Sequence, residues 1–302
     1  MRNILFDETG RIRSGWRIIA FLVVFFLFST IFVIGEEALI GSLPIEPASA
    51  KTLYFIVNCS GLLFLALLFG YIAGKLFEDL PFRALGASFG NGWLKHLALG
   101  TAIGVGTLCF AVVTAFVLGG EKFVLNTSNE PSAVILSLLV SLVVLAVGAA
   151  WEEAFFRGYI FQTLTRSNLT WLAMVMTSAF FGIIHLANDN ATWISSLNTA
   201  LAGLWFGIAY LRTRDLWLAW GMHLAWNWTQ GSVFGIEVSG MTFLTPNPLL
   251  KEIDNGPTWL TGTTYGIEGG VACTIALVVS IVVIYFLPIS ATECTETTAI
   301  SK

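Results

Sequence analysis

Charge is what this sequence has least of: Asp, Glu, Lys and Arg make up only 11% of its 302 residues, where soluble domains carry about 25%. With 56% hydrophobic residues and a mean hydropathy of +0.80, a soluble domain is excluded and a polytopic helical membrane protein is indicated. Cysteine is also scarce. Cys59, Cys109, Cys273 and Cys294 show no metal-type spacing, and the first, second and third sit in apolar runs as small hydrophobes do. The chain ends Ile300-Ser301-Lys302, so Cys294 is not a prenylation box. There is no internal repeat, no low-complexity segment and no second domain. The net charge of −4 says little, because membrane binding rests here on spans and not on surface charge.

What the chain does have is long apolar runs, and eight are read as spans. They cover about 18–34, 53–76, 94–118, a fourth starting after Pro131, then 170–186, 196–211, 216–229 and 271–287. The sixth and seventh are short against the ~20 residues that cross a hydrocarbon core. The first reads as a retained anchor, since a signal peptide has a shorter apolar core and a small-residue cleavage site. Eight spans put both ends on one side. On that side fall Arg2, Arg11, Arg13, Arg17, Lys75, Arg83, Lys95, Arg157, Arg166, Arg212, Arg214 and Lys302, against only Lys51, Lys122 and Lys251 opposite. The bias predicts cytoplasmic termini, with the cell membrane as the location. Trp16, Trp93, Trp171, Trp193 and Trp217 fall near span ends, as interfacial anchors do. The expected organisation is an N-terminal three-span region (1–130), a four-span core (131–230), and an outer loop with the last span (231–302). That loop, about 230–268, is interrupted by prolines and glycines yet apolar; it is expected to pack on the outer face of the bundle rather than to contact a substrate.

Within this apolar chain the stretch from Trp151 to Gly158 stands out, because it holds Glu152, Glu153 and Arg157 at the end of an uncharged run. A carboxylate in hydrocarbon costs on the order of 3 kcal/mol or more, so such residues face a protein interior and serve a purpose. Glu153 and Arg157 are four apart and share a helix face, which predicts an ion pair. Glu152 is rotated by about 100° and has Phe156 at its own i+4 position. The other adjacent pair, Glu36-Glu37, has Ile40 in place of an arginine and lies just past Gly35; it reads as solvated loop.

Only three histidines are present. His96 follows Lys95 at the start of the third span and reads as an ordinary boundary residue. His185 lies deep in the fifth span and His223 in the seventh, with Asn227 on the same face as His223. A lone histidine in an apolar helix is usually a satisfied structural residue. Two of them, an asparagine and a Glu-Glu-Arg cluster all need partners in a low dielectric, and one shared site satisfies them together. At ~1.5 Å rise per residue, Glu152 is about 21 Å from the Arg166 end, His185 about 24 Å deep, His223 about 13 Å and Asn227 about 20 Å. The levels overlap.

A desolvated carboxylate suits the removal of a proton from water. One histidine can orient that water or give a proton to a leaving amine, and a second with Asn227 can supply donors to an oxyanion. These are the parts for peptide hydrolysis with a water nucleophile. Glu152, His185 and His223 also match a two-His-one-carboxylate zinc site. Against zinc, no second-shell acid lies in the fifth or seventh span, Glu153 would have to give up Arg157, and Asn227 suits an oxyanion better than a metal. The balance favours a glutamate-activated water with no obligatory metal, zinc remaining possible. The chain has no His-Glu-x-x-His helix and no Gly-x-Ser-x-Gly elbow, and no thiol accompanies either histidine.

Three motifs in order, Glu152-Glu153-x-x-x-Arg157 with Gly158, Phe181-x-x-x-His185 and His223-x-x-x-Asn227, resemble those of the CPBP intramembrane proteases. That family includes the CAAX prenyl endopeptidases and the Abi bacteriocin-immunity proteins. The resemblance covers about 134–230. It implies that Glu152 is the water-activating glutamate, that Glu153 and Arg157 support it, and that His185, His223 and Asn227 complete the site. It further implies a site within the membrane that opens toward the cytoplasmic side, and a name of either metalloprotease or glutamate-type protease. The expected partners are membrane lipid and a peptide or protein with a membrane-proximal segment, a prenylated C-terminus among the possibilities, and no nucleic acid. Two other classes stay open. A non-catalytic immunity or scaffolding protein would keep the fold without activity. A proton- or metal-coupled transporter would use the Glu and His as a relay, but the internal repeats and broken spans of such proteins are missing.

Overall fold

An apolar run crosses hydrocarbon only as a helix or in a closed barrel, because its backbone N–H and C=O groups must be satisfied without water. The computed structural model describes residues 2–8 and 10–289, so Cys294 and Lys302 lie outside the described residues. Eight helices form the bundle: α1 (Ser14–Gly41), α2 (Pro47–Glu78), α3 (Trp93–Val117), α4 (Pro131–Glu153), α5 (Thr170–Ile184), α6 (Trp193–Thr213), α7 (Trp217–Trp228) and α8 (Val271–Phe286). The first six, with α4 continued to Arg166, are long and apolar enough to cross a membrane. Helix α8, of 16 residues, is shorter, and so is α7, whose 12 residues continue as a π-helical segment, Thr229–Phe234. The protein is an all-α polytopic bundle.

Local signals set the ends. Pro47 and Pro131 sit in the first turns of α2 and α4, where a missing N–H costs nothing. Thr192 and Ser195 form a reciprocal capping box at the start of α6. At the start of α7 the Asp215 carboxylate accepts from Trp217 N–H at 3.1 Å, and its other oxygen lies 2.6 Å from His96 Nδ1. His96 is thus a buried tie between α3 and the α6–α7 turn, not a boundary residue, because it meets an acid distant in sequence. Trp217, expected at the interface, is also buried and donates to the Ser88 carbonyl.

The Glu36-Glu37 reading needs a larger correction. Helix α1 runs through both residues to Gly41, and Glu36 is buried, accepting from Asn58 Nδ2 of α2 at 2.9 Å. The acid finds a polar partner on the neighbouring helix, so the helix has no reason to stop at Gly35.

Association of helices in lipid relies on close backbone approach. Helices α3 and α7 meet at Gly100, Gly104 and Gly221. A Cβ at these positions would lie 2.2 Å from the Leu218 carbonyl oxygen, 2.4 Å from that of Met222 and 2.4 Å from that of Leu97. Helix α7 is held to α4 by two indoles, Trp220 Nε1 donating to the Ala146 carbonyl and Trp228 Nε1 to that of Leu138. These contacts fix the register between the two helices that carry Glu152, Glu153 and His223.

Beyond Phe234 the chain does not cross directly back. Strands β1 (Glu121–Leu125) and β2 (Leu250–Asp254) pair antiparallel, with Glu121 opposite Asp254 and Phe123 opposite Glu252. The rest of the connection to α8 turns inward, burying Ile236, Val238, Leu244, Leu260, Tyr265 and Ile267. Helix α7 is short, and this connection packs beyond its end, with Val238, Met241 and Leu244 on the same cavity as His223. The expectation that it packs only on the outer face is therefore corrected.

Candidate active site

Immediately after Glu153, helix α4 widens into a π-helical segment, Ala154–Ile160, before an α-helical turn, Phe161–Arg166. Gly158 leaves the helical region altogether, at φ −71° and ψ −116°. Such π segments are rare and favour functional sites. The predicted ion pair forms here: Arg157 Nη1 donates to Glu153 Oε1 at 3.2 Å. Arg157 is fully buried, and its Nη2 donates to the Gly203 carbonyl of α6 at 2.9 Å. Its guanidinium also lies 5.0 Å from the Phe181 ring centre and 5.2 Å from that of Phe206. Desolvated cation–π contacts of this kind contribute about 2 kcal/mol, which helps to offset the cost of enclosing the charge.

His223 joins the two acids. Its Nδ1 lies 3.0 Å from Glu153 Oε1 and its Nε2 3.7 Å from Glu152 Oε2, while Phe206 stacks on the ring at 4.7 Å. His185, where α5 tightens into a short 3₁₀ turn, has Nδ1 2.7 Å from the Phe181 carbonyl. A carbonyl only accepts, so this Nδ1 carries a proton, and in the neutral ring Nε2 keeps its lone pair. The Glu153 carboxylate imposes the same tautomer on His223.

Glu152, His185, His223 and Asn227 line one cavity of about 90 Å³, room for several waters. Glu153 and Arg157 are buried behind it. The side chains singled out in the sequence are thus brought together, the acid of the buried pair serving as a backing for His223. One inference is overturned: Glu153 does not have to give up Arg157 to hold a histidine, since Oε1 faces both. The second-shell objection to zinc therefore falls. The donors themselves do not fit an ion in this arrangement, because among the described residues no group of three His, Cys, Asp or Glu is placed to hold one.

Residues 131–229, about a third of the chain, match the family described as type II CAAX prenyl endopeptidase Rce1-like. Over this segment the chain is similar to the CAAX prenyl endopeptidase family. The matched segment contains α4 to α7 and hence Glu152, Glu153, Arg157, His185, His223 and Asn227. The family is one of membrane proteases. No curated protein matches the chain.

The cavity also has walls outside the family core that sequence reasoning missed. Glu268 lies on the turn before α8, and Ser239 and Met241 in the connection after α7; all of them face the cavity, as does Asn198 of α6. The only sequence signal for Glu268 was an isolated acid beside a glycine pair ahead of the last apolar run, which does not distinguish a solvated loop from a site wall.

Proposed function

We propose that the protein is an intramembrane endopeptidase that hydrolyses a peptide bond with a water activated by Glu152. The observation that carries the reading is His223 set between two carboxyls, 3.0 Å from Glu153 and 3.7 Å from Glu152. The longer distance exceeds a direct hydrogen bond and suits a bridging water. That water donates one hydrogen to Glu152 and the other to His223 Nε2, which leaves its oxygen lone pair for a substrate carbonyl carbon. Glu152 takes the proton as the C–O bond forms, and Asn227 supplies a neutral donor to the oxyanion. The intermediate collapses with cleavage of the C–N bond, and the proton passes to the leaving nitrogen. Arg157 holds Glu153 Oε1 in place as the acceptor facing His223 Nδ1, so the neutral imidazole retains the tautomer the step requires.

In this reading catalysis belongs to 131–230, while 1–130 and 231–302 frame it. The aromatic and aliphatic walls at Phe55, Trp151, Phe181 and Leu244 suit an apolar, membrane-proximal peptide, a prenylated C-terminus among the candidates. Both termini are assigned to the cytoplasm on the distribution of basic residues. No step is routed through a metal. The test is purified protein in lipid vesicles, given a membrane-anchored peptide with and without a C-terminal prenyl group, and read by product analysis. Cleavage of either supports the endopeptidase, and a preference reports the substrate. No cleavage of any membrane-proximal peptide contradicts it in favour of a non-catalytic partner. Full activity after exhaustive chelation is expected; stoichiometric zinc whose removal abolishes activity and whose return restores it would overturn the metal-free step.

A further inference from the structure

The carboxyl of Glu268 enters the cavity from a part of the chain that the family core does not include. Its Oε1 accepts from Trp226 Nε1 at 3.1 Å and its Oε2 from the Ser239 hydroxyl at 2.5 Å. Its turn is clamped from behind, since Asn198 Nδ2 donates to the Glu268 carbonyl at 2.8 Å and to that of Gly270 at 2.9 Å. Thr274 in turn donates to Asn198 Oδ1. The titratable groups facing Glu268 are His185 of α5, His223 of α7, Tyr265 of its own connection and Cys273 of α8, with Glu152 on the same cavity. Among the described residues no lysine or arginine acts on it. Enclosure pushes its proton affinity up, against the opposing pull of the Ser239 and Trp226 hydrogen bonds and of the two histidines.

A purely structural tie between Trp226 and Ser239 does not need an acid; glutamine would make it without enclosing an ionisable group. The two histidines show why an acid is useful. In the neutral ring both have Nδ1–H committed to an acceptor, and Nε2 is then the atom that receives and passes on a proton. We propose that Glu268 is a further residue of the site, the proton store that charges His185 during turnover.

The inference rests on the hydrolytic reading above. In it the water proton goes to Glu152 as the C–O bond forms. Glu268 gives its proton through His185 to the nitrogen as the C–N bond breaks, and Glu152 then returns a proton to Glu268 through cavity water. The cycle consumes one water and leaves every protein group as it began.

The test combines a pH profile with a signal that needs no substrate. Glu268→Gln in the full-length protein is expected to fold and to keep KM, while kcat falls by about 10²-fold and one limb of the kcat–pH profile disappears. In the unmodified protein, infrared difference spectroscopy should show an enclosed carboxylic acid that is lost in Glu268→Gln and whose titration shifts in His185→Gln. A wild-type kcat and pH profile in Glu268→Gln, or an effect confined to KM or stability, overturns the proposal, and so does the absence of the carboxylic-acid signal. Glu152→Gln in the same series separates the two claims. Its retained activity would sink the hydrolytic reading, and the infrared titration would still decide whether Glu268 and His185 share a proton.

Discussion

The chain contains two Glu-Glu pairs within helices, and they differ in what the neighbouring helices present. At Glu36-Glu37 one acid is buried against Asn58 and the other is exposed. A single neutral donor meets Oε2 of the first, whose Oε1 has no hydrogen bond among the described residues, and the second lies on the surface. At Glu152-Glu153 both acids are directed inward. Glu153 meets Arg157 and His223 together, and Glu152 lines a cavity with His185, His223 and Asn227. Burial of an acid is common to both places and therefore does not mark a site. The mark is convergence of several groups able to exchange protons, beside space for a substrate.

The largest effect is expected from dismantling the second pair. Glu153→Ala or Arg157→Ala leaves one buried charge unpaired, at a cost of about 3–5 kcal/mol, and takes proteolysis down with it. Removal of both should cost less than the sum. A double-mutant cycle in unfolding and activity measures this, and strict additivity would show that the two residues are not coupled. Next comes the wall that receives Arg157. A Cβ at Gly203 would lie 2.8 Å from the Ser178 Cα, so Gly203→Ala must part α5 from α6. It should cost about 1–3 kcal/mol in a thermal or denaturant unfolding curve, as overpacked sites do.

A third set of acids, on the loop sheet, sharpens the contrast because among the described residues only other acids act on the Glu121 and Glu252 carboxyls. Glu121 is buried with both carboxyl oxygens unpartnered. Burial pushes its pKa up to about 8, and that of Glu252 likewise to about 8. The folded sheet thus holds protons that the unfolded chain releases near its ordinary value of 4.5. The stability these groups contribute is fully present below that value and is lost as pH rises toward about 8. Hydrogen exchange of β1 and β2 should therefore quicken across that window, and Glu121→Gln should flatten the dependence. An unchanged pH response in that variant would contradict the assignment. The smallest effect belongs to the first pair. Glu36→Gln keeps a partner for Asn58 and should alter stability by no more than about 1 kcal/mol, with proteolysis unchanged.

Much of this was legible in order of range. Span positions follow from apolar runs, and the Glu153–Arg157 pair follows from a four-residue spacing, since both are local. His185, His223 and Asn227 could be grouped because buried polar groups seek one another. Their mutual geometry could not be read: the bridging of Glu153 and Glu152 by His223 depends on an α4–α7 register set by Trp220, Trp228 and the Gly100, Gly104 and Gly221 contacts. Glu36 was misread because its partner Asn58 lies 22 residues away on another helix. Glu268 was missed for the same reason on a larger scale, its approach to Trp226 spanning 42 residues. The π-helical segment after Glu153 has no signature in apolar spacing either.

The most direct test of the account sets the two pairs against each other in one assay. Purified wild-type protein, Glu152→Gln and Glu36→Gln are given the same membrane-protein peptide library in lipid vesicles, and cleavage products are counted by mass spectrometry. Loss of cleavage by orders of magnitude in Glu152→Gln, with retained folding and with Glu36→Gln at the wild-type level, is the predicted result. Near-wild-type proteolysis by Glu152→Gln would remove that residue from the mechanism and contradict the account at its centre.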